Sequence, residues 1–137
     1  MSTSLRTTMQ SASIPAPRFR YSPCVKIGDY YQVSGMVALD PRSGALVSGG
    51  PGAETACILS NLQRALPDYG LSLEHLLIAR IYTTRMDAFA DINAAWEAVF
   101  TAGAVPPART SVGVSALPLA ASVEIEFSFV KPDATGS

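Results

Sequence analysis

The chain has 137 residues, enough for one compact domain and too few for two. Only 15% of them are charged and 48% are hydrophobic, which excludes disorder for the bulk of the chain, because disordered segments are polar and charge-rich. A net charge of −1 offers no electrostatic footprint for a nucleic acid, so no nucleic-acid partner is expected.

The longest stretch without Asp, Glu, Lys or Arg, Thr110 to Val123, contains Gly113 and Pro118. It falls short of the ~20 apolar residues that a membrane-spanning helix needs. A small domain has much surface for its volume, so one this short of charge is expected to have part of that surface covered by another copy of itself. Composition therefore points to a homo-oligomer.

Residues 1–17 are rich in Ser, Thr and Pro and lack the apolar core of a secretory signal. They read as a flexible tail, with a single domain over 18–132, a short C-terminal tail over 133–137, and a cytoplasmic location. Cys24–Ile27 and Tyr30–Ala38 read as strands around the Gly28-Asp29 turn, followed by a loop in which Pro41 and Gly44 supply the turn chemistry. Ser48-Gly-Gly-Pro-Gly is glycine-rich but has no lysine, so it is a connection rather than a phosphate loop.

From Ala53 to about Pro67 the residues Leu59, Leu62, Leu66 and Tyr69 fall on one helical stripe, and Gly70 ends it. Leu77 to Arg85 alternates as a strand, with Leu77, Ala79, Ile81 and Thr83 on one face. Asp87 is placed to cap a second helix that buries Phe89, Ile92, Trp96 and Val99. Pro106-Pro107 breaks the chain before a strand over Thr110–Ala116, and Leu117-Pro118 turns it into the last strand, Val123–Val130. There Val123, Ile125, Phe127 and Phe129 face one way, and Glu124, Glu126 and Ser128 the other.

This order predicts an α+β domain in which two helices cover one face of a sheet. Arg80, Tyr82, Glu124 and Glu126 fall on the uncovered face.

Chemistry has few places to sit. His75 is the only histidine, which excludes metal sites that need two from one chain, and it lies in a stretch without a nucleophile motif. Cys24 and Cys57 have neither CxxC spacing nor the density of a disulfide scaffold, and read as small buried hydrophobes. No metal and no cofactor are expected.

One constellation remains, around Arg109 and Glu124. A hairpin about Leu117-Pro118 would pair Ser111 with Glu124 and Arg109 with Glu126, all on the face away from the helices. Two readings stay open for it. One is a cross-strand ion pair. The other is a site in which arginine's fork holds a substrate carboxylate and a carboxylate activates water.

The motifs Pro107-Ala-Arg-Thr-Ser-Val, Val123-Glu-Ile-Glu, Gln32-Val-Ser-Gly, Tyr21-Ser and Asp87-Ala-Phe-Ala-Asp-Ile-Asn together resemble the Rid (reactive intermediate deaminase) family, also called YjgF or L-PSP endoribonuclease-like. The resemblance covers about Arg20 to Pro132. It implies a chorismate-mutase-like α+β fold with a mixed sheet, a homotrimer with ligand clefts at the subunit interfaces, and no cofactor. The implied activity is hydrolysis of enamines and imines, such as 2-aminoacrylate, to 2-keto acids and ammonia.

Carried over by resemblance, Arg109 would clamp the substrate carboxylate and Glu124 would position the hydrolytic water. Tyr21 would line the cleft, Gly35 would border the ligand with its backbone, and Ser111 stands where the family often has a ligand-touching cysteine. Asn93 matches a helix asparagine of structural character.

Three positions depart from the common pattern. Arg20 and Pro23 flank the Tyr21-Ser motif, and Met36 follows Ser34-Gly35 and makes that wall of the site more apolar. They leave room for a pathway-specific imine. The alternative is a non-catalytic regulatory trimer that binds small carboxylates. RNA cleavage, the activity in the family's older name, ranks last for want of a basic cluster.

Overall fold

The longer apolar stripe winds into helix α1 (Gly50–Tyr69) of the computed structural model, which describes residues 5–132. It starts three residues before Ala53 because Pro51 suits a first turn, where its missing N–H has no helical partner to lose. Gly70 ends it in the left-handed conformation, φ 72°, with its N–H turned back to the Pro67 carbonyl. Helix α2 (Phe89–Val99) follows a 3-10 turn, Met86–Ala88. Asp87 sits in that turn and pairs with Arg85 at 2.9 Å instead of capping the helix.

Six strands form one sheet: β1 (Thr7–Met9), β2 (Cys24–Ile27), β3 (Tyr30–Met36), β4 (Leu76–Thr83), β5 (Ala108–Gly113) and β6 (Val123–Val130). Their order across the sheet is β1-β2-β3-β6-β4-β5, with β4 and β5 parallel and every other pair antiparallel. The fold is therefore the expected α+β one with a mixed sheet. Tyr31, Val33, Ala79, Ile81, Val123, Ile125, Phe127 and Phe129 point to the helices and join Ile58, Leu62, Ile92 and Trp96 in one core. Full burial of each large apolar side chain there contributes about 2–3 kcal/mol.

Two expectations about pairing are corrected. The hairpin of the last two strands does not form: β5 pairs with β4, and β6 enters between β3 and β4. Physical reasons lie on both sides of that outcome. Helix α2 between β4 and β5 is the crossover that parallel neighbours require. Strand β6, with Val123, Ile125, Phe127 and Phe129 all fully buried, belongs at the sheet centre, while the more exposed β5 takes an edge.

The second correction concerns the assigned tail over 1–17. Thr7–Met9 pairs with β2, and the chain beyond it is stitched down by Ser11 to Asp68 at 2.6 Å and Arg18 to the Gly44 carbonyl at 3.1 Å. Residues 1–4 and the C-terminal tail over 133–137 lie outside the described residues.

Register irregularities reposition two more side chains. A shift between Leu76 and Ile78 puts Leu76 into the core and leaves Leu77 54% exposed. Another, in β3 between Val33 and Met36, opens the ladder beside Glu124. Glu54 of α1 is buried and accepts hydrogen bonds from the Ser122 backbone and hydroxyl and from the Val123 N–H, fixing the start of β6.

Among the described residues no element covers the other face of the sheet. It carries a polar mesh: the Tyr30 hydroxyl lies within hydrogen-bond distance of Gln32 Oε1 and Ser128 Oγ, at 2.8 and 2.9 Å, Arg80 reaches Ser128 at 3.4 Å, and Tyr82 donates to Glu126 at 2.7 Å. No described helix is long and apolar enough to cross a membrane.

Candidate functional site: a carboxylate cleft and a caged arginine

The irregularity in β3 opens the ladder at Ser34-Gly35. Ser34 is tied to the incoming chain twice, by its N–H to the Pro23 carbonyl at 2.9 Å and its hydroxyl to the Ser22 carbonyl at 2.7 Å. This stitching sets Tyr21, half exposed, beside the bulge. Gly35 lies directly under Glu124 of β6, so close that a Cβ there would meet Oε2 at 2.6 Å. Only glycine leaves that carboxylate its place.

Tyr21, Gly35, Met36 and Glu124 line one cleft of about 650 Å³, with Leu119 at its wall and Tyr69 of α1 contributing as well. The chain turns into that wall through Leu119 and Ala120, both at positive φ, 60° and 58°. Among the described residues nothing donates a hydrogen bond to the Glu124 carboxylate. Partial burial, and secondarily the charge of Glu126, holds its pKa above the ordinary glutamate value. A carboxylate in that condition is a better proton acceptor than an exposed one.

Arg109 and Ser111 are elsewhere. Parallel pairing aligns Arg109 with Ala79 and Ser111 with Ile81, and residues aligned in this way share a face, so both side chains project to the helix side of the sheet. The Arg109 guanidinium lies 5.4 Å from the Phe89 ring centre and 5.2 Å from that of Trp96, and its Nη2 donates to Asn93 Oδ1 at 2.7 Å. The Ser111 hydroxyl is buried and has no hydrogen-bond partner among the described residues.

The cluster of Arg109, Ser111, Glu124 and Glu126 on one face is therefore overturned, and with it the reading of Arg109 and Glu126 as a cross-strand pair. Tyr82 stands opposite Glu124, and Arg80 opposite Glu126. One strand, β4, separates Arg109 from Glu124, and the two side chains project from opposite faces of the sheet.

Other sequence candidates have quieter places. His75 accepts the Ser72 N–H on Nδ1 at 3.1 Å and so caps a 3-10 turn, Leu73–His75. Cys24 is fully buried, which pushes its thiol up to about 12, and Cys57 is half-buried beside the Leu39 carbonyl with its pKa also raised by burial. No group of three or more metal-ligating side chains occurs among the described residues.

Sequence reasoning did not find the aromatic cage of Arg109 or the buried Tyr69 hydroxyl, which also has no partner among the described residues. The cage had a signal. Phe89, Asn93 and Trp96 are spaced i, i+4, i+7, which puts them on one helix face.

Known proteins resemble this chain in sequence and in fold. The family profile described as endoribonuclease L-PSP matches residues 11–130. A RutC family protein of Aquifex aeolicus is 34% identical over 90% of this chain and 98% of its own. A mouse protein named 2-iminobutanoate/2-iminopropanoate deaminase is 32% identical over 92% of each chain. The crystal structure of RidA from the Antarctic bacterium Psychrobacter sp. PAMC 21119 superposes with a TM-score of 0.84 at 30% identity, covering 91% of this chain and 99% of that one. The chain belongs to the endoribonuclease L-PSP family, whose members include the Rid and RutC proteins.

Proposed function

We propose that the protein is a deaminase that hydrolyses small 2-imino acids and their enamine tautomers, 2-aminoacrylate among them, to 2-keto acids and ammonia. The observation that carries this reading is the Glu124 carboxylate, half-buried over Gly35 in an apolar cleft, without a hydrogen-bond donor and with a raised pKa. Mammalian relatives 30–32% identical to this chain bear the deaminase name, which supports the same class of reaction.

The chemistry asks little of the protein. An imine protonated on nitrogen already has an electrophilic carbon. Glu124 accepts a proton from water as the water oxygen bonds to that carbon. Glu124 then passes that proton to the nitrogen, and as the C–N bond breaks the carbinol hydroxyl gives its own proton back to Glu124, so that ammonia leaves and the carbonyl forms. Arg109 holds the substrate carboxylate, which fixes the carbon in front of the water.

Because the Arg109 and Glu124 side chains of one chain project from opposite faces of the sheet, the complete site joins two copies. One copy brings Arg109 and Ser111, and its neighbour brings Glu124, Tyr21, Gly35 and Met36. A repeated head-to-tail contact of this kind closes into a ring, and a trimer is the ring expected from the family resemblance.

The test is a deamination assay in which a pyridoxal-phosphate enzyme generates imines from a panel of amino acids. Wild type should accelerate keto-acid formation, and Arg109→Ala and Glu124→Gln should not. Subunits of the two inactive variants, mixed by co-refolding, should then regain about a quarter of the wild-type activity, since half the arginine sides meet half the glutamate sides intact. Zero recovery would place both groups in one chain's own site. Carboxylate binding without turnover in the wild type would make the protein a regulatory binder instead.

A further inference from the structure

The cage around Arg109 does more than fill space. An arginine side chain is long and loses much rotational freedom when it binds, so one already fixed at its working position binds an anion more tightly. Here three side chains from successive turns of α2 do the fixing. Phe89 and Trp96 confine the guanidinium by their rings at 5.4 and 5.2 Å, and Asn93 Oδ1 accepts from Nη2 at 2.7 Å. That bond uses one of the five N–H donors an arginine carries, so the fork keeps donors for both oxygens of a carboxylate.

The choice of asparagine matters. A carboxylate at position 93 would neutralise the arginine and compete with the ligand, whereas the amide oxygen orients the fork and leaves its charge unspent. No acidic side chain lies within ion-pairing distance of Arg109 among the described residues.

We propose that Phe89, Asn93 and Trp96 are positioning residues that hold the Arg109 guanidinium ready for a ligand carboxylate, and that Trp96 reports optically on that ligand. The inference rests on the carboxylate role of Arg109 given above. Trp96 is the only tryptophan of the chain, it is 6% exposed, and its ring also meets Phe100 at 4.3 Å between centres. An anion arriving on the guanidinium changes the charge beside a single buried indole, so its emission has one source and one cause.

The experiment is a titration of the intact oligomer with 2-ketobutyrate, followed by tryptophan emission, beside deaminase kinetics on the same preparations. Wild type should show a saturable emission change, which Arg109→Ala abolishes. Asn93→Ala should keep the change but weaken the ligand's Kd and raise KM by about tenfold, with kcat altered less than about threefold, the loss expected for one hydrogen bond to a charged group. Asn93→Asp should weaken binding further, since its charge takes the place of the ligand's, and Asn93→Ser should recover part of the affinity. Thermal unfolding of each variant separates these effects from misfolding.

An unchanged Kd in a folded Asn93→Ala, tighter binding in Asn93→Asp, or an emission change that survives Arg109→Ala would each overturn the proposal. Asn93-dependent binding without turnover would leave the proposal standing and fell the deaminase reading. Turnover indifferent to Asn93 would do the reverse.

Discussion

The two halves of the site treat charge in opposite ways. On β5 the Arg109 guanidinium is surrounded by the two aromatic rings and the amide of α2, and its position is determined before any ligand arrives. On β6 the Glu124 carboxylate is given room by a glycine and no donor by the described residues, and its charged form is disfavoured. A binding group gains from being held, since the freedom it would lose is already gone. A proton acceptor gains from being under-solvated, since a comfortable carboxylate is a poor base. The sheet keeps the two from quenching each other by placing them on opposite faces with β4 between them.

The strongest way to break this contrast is to remove the charge of Glu124. Glu124→Gln should lower kcat by about 10²–10³-fold, the range for loss of a general base. The same substitution should raise thermal stability at pH 7. With its pKa above the unfolded value, Glu124 favours the folded state below the unfolded pKa, and that contribution is lost as pH rises through the folded pKa. At neutral pH the ionised group therefore weighs against folding, and glutamine removes the cost. The stability advantage should vanish toward acid pH, which melting curves across pH would show. Wild-type kcat should fall with acidification at a midpoint above the ordinary glutamate value; a midpoint at or below it would remove the special status of this carboxylate.

A smaller effect should come from crowding the group rather than deleting it. Gly35 has no left-handed φ, so alanine can adopt its backbone, and the new Cβ would meet only the flexible end of Glu124, at 2.6 Å from Oε2 and 3.0 Å from Cδ. The carboxylate must then move by a few tenths of an ångström or more. Gly35→Ala is expected to cost roughly 10–100-fold in kcat, as misplacement on the ångström scale does, while shifting the melting temperature by no more than about 2 °C. A large drop in melting temperature with full activity in the surviving fraction would make Gly35 a folding residue instead.

Much of the fold was legible because its signals are local. The stripe Leu59, Leu62, Leu66 and the alternation Val123, Ile125, Phe127, Phe129 identified α1 and β6, and all of these are fully or nearly fully buried. What sequence could not supply was partnership between strands. The turn signal of Leu117-Pro118 suggested a hairpin, but pairing is decided by the whole sheet, and the crossover through α2 sent β5 to the edge beside β4. A wrong neighbour changed the face on which Arg109 was expected, whereas Glu124, whose facing follows from its own strand's alternation, stands where that alternation put it. Strand β1 was missed for a related reason: Thr7–Met9 has no apolar alternation and becomes a strand only because β2 offers it an edge.

Each half of the site also holds one buried hydroxyl without a partner among the described residues, and comparing them separates structure from function at the smallest scale. Tyr69, on the cleft side, is 1% exposed, and burial pushes its hydroxyl up to about 12. Ser111 lies two residues beyond Arg109 on the same face of β5. An unsatisfied buried hydroxyl costs about 1 kcal/mol or more, so removing it should help the fold. Tyr69→Phe and Ser111→Ala are each expected to raise the melting temperature by roughly 1–4 °C. Their effects on ligand should differ, because only Ser111 stands beside Arg109, the group proposed to bind the carboxylate. Ser111→Ala should weaken 2-ketobutyrate by a few-fold, and Tyr69→Phe should leave it unchanged. If the tyrosine variant loses affinity and the serine variant does not, the ligand lies along the apolar cleft toward α1 rather than between the two halves.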